Sequence, residues 1–308
     1  MTLVSTVAAM QAEADAARCA GRRLALVPTM GALHDGHLAL VRRARERVGP
    51  GGHVTVSIFV NPTQFAPGED YEEYPRTLDA DRAALEAVAG GVDAVFAPSA
   101  AEMYPDGLPV RTGVRVAELG RHLCGASRPG HFEGVALVVS KLFLACRPHE
   151  AVFGEKDAQQ LAVLRRMERD LGFGVEIVGH PIVREPDGLA MSSRNRRLSA
   201  ADRAQAAVLS RALMGAGHAV GQGARDAAAL TAAMRAEIGR APRAEIDYVE
   251  IVDADALQPA ATLVGDGPSG GRYLAAVAVR FGATRLIDNL TLHVGAEPAP
   301  ASRSRPAR

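Results

Sequence analysis

The chain has 308 residues, 48% of them hydrophobic and 23% charged, with 35 basic side chains balanced by 35 acidic ones. Such a chain can bury a sizeable core, so its stability need rest on neither metals nor disulfides. The even charge removes any whole-chain case for nucleic acid or an anionic membrane as partner. Cys19, Cys124 and Cys146 lie far apart and form no CxxC pair, as expected of reduced thiols in a cytoplasmic protein. No 18 apolar residues run together, so no membrane span is expected.

Residues 1–23 read as an amphipathic helix, because Gln11, Glu13 and Asp15 break the apolar run that a signal peptide needs. Residues 24–28, 54–60 and 92–97 are short, nearly continuous apolar runs of the kind buried on both faces of a parallel sheet. Helical stretches at 37–48 and 77–90 lie between them, and this alternation predicts a doubly wound α/β sheet. A helix over 131–146 follows, with Val135, Val138, Leu142 and Cys146 on one face, then a strand at 150–153, a helix at 157–171 and a strand at 175–179.

Past the segment REPDGLAMSSRNRRLSAADR the composition changes. Ser199 and Asp202 mark a helix start, and two alanine-rich helices are expected at 200–220 and 226–240. Strands at 245–252, 273–281 and 285–291 complete an α+β unit, with residues 265–271 as a mobile turn. The expected architecture is therefore a Rossmann-like α/β domain over 1–184, a smaller C-terminal α+β domain over 185–293, and a disordered Pro/Ala/Arg tail over 294–308.

Four segments carry chemistry. Pro28 to His37 (PTMGALHDGH) follows the first strand, where small residues permit close ligand approach and a helix N-terminus offers an anion site. His34 and His37 share one side of that first turn and can donate hydrogen bonds to phosphate oxygens; two histidines without a third ligand nearby make a poor zinc site. Ser57 to Phe65 (SIFVNPTQF) leaves the second strand, and Gln64 offers both a donor and an acceptor suited to a hydroxy acid. The stretch from Tyr71 to Arg76 reads as a loop over the site. Phe153 to Gln160 (FGEKDAQQ) supplies Gly154 for close backbone approach, Lys156 as a compact phosphate-binding charge, Asp157 as a ribose acceptor and Gln160 one turn further on. Asp187 to Asn195 (DGLAMSSRN) sets Ser192, Ser193 and Arg194 in succession, suited to a triphosphate tail. Arg128 and His131 can face a substrate carboxylate or cap a helix.

The HxGH segment resembles the HxGH nucleotidyltransferases, which are related in fold to class I aminoacyl-tRNA synthetases, and Met191 to Ser193 is similar to that superfamily's KMSKS-type loop. PTMGALHDGH, SIFVNPTQF, YPRT, SRPGHFEGV, FGEKD.QQL, DGLAMSSRN and RLIDN, in this order across residues 2–293, resemble the pantothenate synthetase family. That resemblance implies ATP, pantoate and β-alanine as substrates, magnesium accompanying ATP, and a homodimer. It places Met30, Gly31, His34 and His37 at ATP, with His34 and His37 on the phosphates and His37 as proton donor. Gly154, Lys156, Asp157 and the backbone around Val183 would contact the nucleotide. Met191, Ser192, Ser193 and Arg194 would close on the phosphates, and Gln64 and Gln160 would hold pantoate. His34, His37, Lys156 and Arg194 are thus the expected charge stabilisers.

Some positions depart from the family pattern. Cys124 stands where Glu is usual and Ala158 where an aromatic is usual, while Asp81 remains near a metal position beside an Ala80 that lacks a carboxylate. The rival readings are another HxGH adenylyltransferase, whose phosphorylated substrate would call for more Arg or Lys than Gln64 and Gln160 supply, and a nucleotide-binding regulator without turnover, which would lack one of the catalytic groups.

Overall fold

The computed structural model describes residues 1–66 and 68–295; residues 296–308 of the expected disordered tail lie outside them. In chain order the elements are β1 (Thr2–Val4), α1 (Val7–Cys19), β2 (Leu24–Thr29), α2 (Asp35–Val48), β3 (His53–Ile58), α3 (Leu78–Glu86), β4 (Ala94–Phe96), α4 (Ala100–Met103), α5 (Leu123–Ser127), α6 (His131–Cys146), β5 (Glu150–Gly154), α7 (Ala158–Leu171) and β6 (Glu176–His180). Then come α8 (Ala200–Ala206), α9 (Val208–Gly221), α10 (Ala227–Ile238), β7 (Ala244–Asp253), β8 (Arg272–Phe281) and β9 (Thr284–His293). Short 3-10 turns cover Pro62–Gln64, Glu155–Asp157 and Ser193–Arg197.

The first six strands form one parallel sheet in the order β1-β4-β3-β2-β5-β6. Successive residues of these strands point to opposite faces, and both faces are apolar. Leu24, Leu26, Phe96, Ala151 and Phe153 pack with Met10 of α1 and with α6. Ala25, Val27, Val54, Val56 and Val152 pack instead with Val41 and Ala44 of α2 and Leu85 of α3. That two-sided burial explains the unbroken apolar runs. The chain leaves β2 towards β3 on one side, and β5 takes the other, so the strand order switches between β2 and β5. Crevices for ligands open at the carboxyl ends of strands at such a point.

β7, β8 and β9 form a separate antiparallel sheet. On β8, Tyr273, Ala275, Val277, Val279 and Phe281 pack with α9 and α10, while Leu274 and Ala276 face Leu123 and Ala158 of the first unit. The small sheet is thereby buried on both sides. Polar links reinforce the junction: Asn289 donates to the carbonyls of Glu155 (3.0 Å) and Lys156 (2.9 Å), and Arg184 grips the fully buried Asp288 at 2.7 and 3.0 Å.

The structure differs from expectation in a few places. Residues 2–4 form an edge strand ahead of α1; three residues with only Val4 buried are too few to show periodicity. The helix expected over 200–220 breaks at Ala207 into α8 and α9, and α4 and α5 are too short to carry a pattern. Asp157, expected to begin the helix over 157–171, instead ends a 3-10 turn over 155–157 that precedes α7.

Candidate active site

A cleft of about 230 Å³ opens where β2, β3, β5 and β6 end, lined by Thr29 and Met30, Phe59 and Asn61, Phe153 and Gly154, and His180 to Val183 in turn. His34, His37, Gln64, Lys156, Asp157, Gln160, Met191, Ser192, Ser193 and Arg194 line the same cleft. Residues far apart in sequence are thus brought together; Gly31 and Asp81 lie behind the wall.

The spacing of the two histidines has a local cause. His34 is the N-cap of α2, and its Nδ1 accepts the Gly36 N–H at 3.1 Å. A Cβ at Gly36 would sit 2.8 Å from His34 Cε1, so only glycine lets the ring fold back over the helix start. His37, one turn on, stacks at 4.0 Å between ring centroids. With Nδ1 of His34 accepting, its remaining proton sits on Nε2. Burial, with the charges of Lys156 and Arg196 adding to it, lowers the His34 imidazole to about 4. Burial, then His34, Lys156 and Arg196, lowers His37 to about 3. Both rings are therefore neutral donors at neutral pH, and Nδ1 of His37 is buried without a partner among the described residues. Fixed positive charge near these rings comes from Lys156, whose Nζ lies 3.5 Å from Asp157, and from Arg196.

The loop ahead of the histidines is held from beneath. Asp81 accepts the N–H groups of Ala32 (3.0 Å) and Leu33 (2.7 Å) and the Thr77 hydroxyl (3.2 Å). Gly31, at φ 79°, passes so close that a Cβ would lie 2.9 Å from Asp81 Oδ2. The expectation of Asp81 near a metal is corrected accordingly: both of its oxygens hold backbone, it is buried, and it does not line the cleft.

On the opposite wall, Asn61 donates to Gln64 Oε1 at 3.1 Å and Gln64 Nε2 reaches Met30 Sδ at 3.1 Å. The Gln64 carbonyl takes His131 Nδ1 at 2.8 Å and Arg128 at 3.3 Å, while Arg128 forks onto Glu69 at 2.7 and 2.6 Å. Arg128 and His131 thus brace the glutamine loop. Burial and the Arg128 charge lower His131 to about 4, so it too is neutral.

Over the cleft, Met191 N–H donates to the Val183 carbonyl at 2.9 Å, which seats the Met191–Arg194 segment. Arg194 is held by Asp70 through Nε at 3.1 Å and Nη2 at 3.0 Å, Arg197 joins the same carboxylate at 2.5 Å, and Tyr74 meets the Ser193 hydroxyl at 3.3 Å. Although burial pushes the Asp70 carboxyl up, these two guanidinium groups hold it below its usual range. Asp70 and Arg196 had no signal in the sequence, since each is one charge among several in a polar loop. Cys124 is buried in an apolar cluster with Phe132 and Val163, with polar neighbours on one side: it lies 3.3 Å from the Tyr248 hydroxyl and 3.6 Å from Arg285, beside a second chamber of about 70 Å³.

A family profile described as pantoate-beta-alanine ligase matches residues 2–291. A pantothenate synthetase of Salinibacter ruber is 56% identical, covering 96% of this chain and 98% of its own, and one of Heliobacterium modesticaldum is 52% identical, covering 96% and 100%. The crystal structure of pantothenate synthetase from Thermus thermophilus superposes with a TM-score of 0.84 at 49% identity, covering 94% of this chain and 99% of that one. The Francisella tularensis pantoate-beta-alanine ligase, complexed with beta-gamma ATP and beta-alanine, superposes at 0.75 with 31% identity, covering 94% and 97%. With sequence, fold and the convergence of the motifs in one cleft in agreement, the chain belongs to the pantoate–β-alanine ligase family.

Proposed function

We propose that the chain joins pantoate to β-alanine at the expense of ATP through an enzyme-bound pantoyl adenylate. A pantoate carboxylate oxygen attacks the α-phosphorus and pyrophosphate leaves. The β-alanine amine then attacks the activated carbonyl, losing a proton as the amide forms and AMP departs. No protein nucleophile is needed, so positioning and charge neutralisation carry the first step.

The observation that carries this reading is the meeting of two kinds of group in one cleft. Neutral imidazole donors beside Lys156 at a helix start suit phosphate oxygens, and the side-chain amides of Gln64 and Gln160 suit an uncharged hydroxy-acid body. His34 and His37 would donate to the polyphosphate, Lys156 and Arg194 would neutralise charge developing on it, and Gly154, Asp157 and Val183 would face the nucleoside. Among the described residues Asp157 is the one carboxylate lining this cleft, and no three His, Cys, Asp or Glu side chains gather as a metal cluster. That donor set fits magnesium arriving as Mg-ATP, held through phosphate oxygens. The separate apolar cores support residues 1–184 as the substrate-binding domain and 185–293 as a lid carrying Ser192 to Arg194, which would shield the acyl adenylate from water. A homodimer and a cytoplasmic location complete the reading; among the described residues no helix is long and apolar enough to cross a membrane.

The test is AMP formation from Mg-ATP with each substrate omitted in turn. AMP is expected only with pantoate and β-alanine both present. AMP formed at the full rate without pantoate would overturn the assignment.

A further inference from the structure

Three arginines leave the Ser193–Arg197 turn in different directions. Arg194 and Arg197 go to the carboxylate of Asp70. Arg196 instead crosses to the first motif, where its Nη2 donates to the carbonyl of Ala32 at 3.0 Å. Among the described residues it has no carboxylate partner, so its charge is not cancelled by an ion pair.

Its target is an unusual peptide. Ala32 has φ 50°, in the left-handed region that a residue with a side chain seldom adopts. Its N–H is held by Asp81, and Arg196 holds its C=O. One residue is therefore fixed at both polar ends, two positions before the His34 cap. Strain of this kind persists only where neighbours over-determine it.

We propose that Arg196 is a positioning residue for adenylate formation: it sets the Ala32 carbonyl, ties the Ser193–Arg197 turn to the histidine loop and keeps a fixed positive charge beside the two imidazoles. The proposal rests on the ligase reading of the cleft. The groups facing His34 and His37 are each other, Lys156, Asp35, Glu185 and Arg196. Glu185 already receives Asn195 and Arg203, each at 2.6 Å, which leaves Lys156 and Arg196 as the charges opposing ring protonation. Protonating His34 would set a new N–H against that of Gly36 and undo the cap, so a charge that keeps the ring neutral also keeps the loop in shape.

The experiment compares the parent with Arg196→Lys and Arg196→Gln. Pantoate-dependent pyrophosphate release is followed in a single turnover, with saturating Mg-ATP and no β-alanine, from pH 4 to pH 8. Arg196 is exposed and makes one bond to the loop, so both variants should fold and unfold thermally only slightly below the parent. Roughly 10- to 100-fold slower release is expected for Arg196→Gln, from displacement of the reacting groups. Its acid limb should move to higher pH, whereas Arg196→Lys, which keeps the charge, should hold the parent's limb. The parent's own pyrophosphate signal tests the ligase reading, and the ratio of variant to parent tests the role of Arg196. Arg196→Gln matching an active parent in rate and acid limb overturns the proposal. So does an equal loss in the two variants with neither limb moved, which is what a merely structural residue gives.

Discussion

Residues 30–37 and residues 192–197 meet at the cleft, yet they are held by different forces. The first segment continues a central strand and hangs on hydrogen bonds to buried groups: Asp81 under Ala32 and Leu33, and His34 on Gly36. The second is held mostly by partly exposed ion pairs, Arg194 and Arg197 on Asp70 and Arg197 on Glu73. Bonds of the first kind keep their geometry whatever the salt. Those of the second are screened and can be exchanged for a stronger anion such as a polyphosphate. The cleft thus pairs a preset wall with one that can change partners.

Breaking the preset wall should cost most. His37→Ala removes a donor aimed at the phosphates, and we expect pantoate-dependent pyrophosphate release to fall about 1,000-fold with the fold intact. Near-normal release in that variant would remove His37 from the chemistry. Asp81→Asn comes next. It sets an amide where two backbone N–H groups and a hydroxyl need acceptors, so adenylation should slow about 10- to 100-fold and urea unfolding should show a loss of about 1–3 kcal/mol. Full activity with lowered stability would make Asp81 a fold residue alone.

The same wall should also sense acid. His34, His37 and His131 are lowered to about 4, 3 and 4 from the ordinary imidazole value of 6.5, chiefly by burial. Between those limits the unfolded chain binds more protons than the folded one, so stability declines as pH falls from about 6.5 towards 4. Thermal unfolding across that range checks this, and His37→Gln should flatten the slope.

The smallest effect belongs to the exchangeable wall. Asp70→Asn frees Arg194, so KM for Mg-ATP should drop about two- to fivefold and depend more on ionic strength. A raised KM would mean that Asp70 orders Arg194 for the substrate and does not compete with it.

The preset wall was largely legible in the sequence. Apolar runs located the strands, and HxGH and FGEKD stand at strand ends, where an α/β sheet places its ligands. The exchangeable wall was less so. Arg194 could be singled out from its neighbours Ser192 and Ser193, but its partner Asp70 lies 124 positions away with nothing periodic to announce it. Arg196 sits among similar arginines and is told apart only by its direction. Asp81 shows the opposite error: a carboxylate near the site suggested a metal, and only the folded loop reveals that the backbone takes both oxygens.

The most direct test of a preset, neutral histidine wall is a nitrogen-15 NMR titration of the His34 and His37 rings from pH 3 to pH 8 in the protein without ligands. The account predicts His34 as the Nε2–H tautomer, with neither ring protonated until the pH approaches 4. Ordinary titration of both rings near pH 6.5, or His34 carrying its proton on Nδ1, would contradict it.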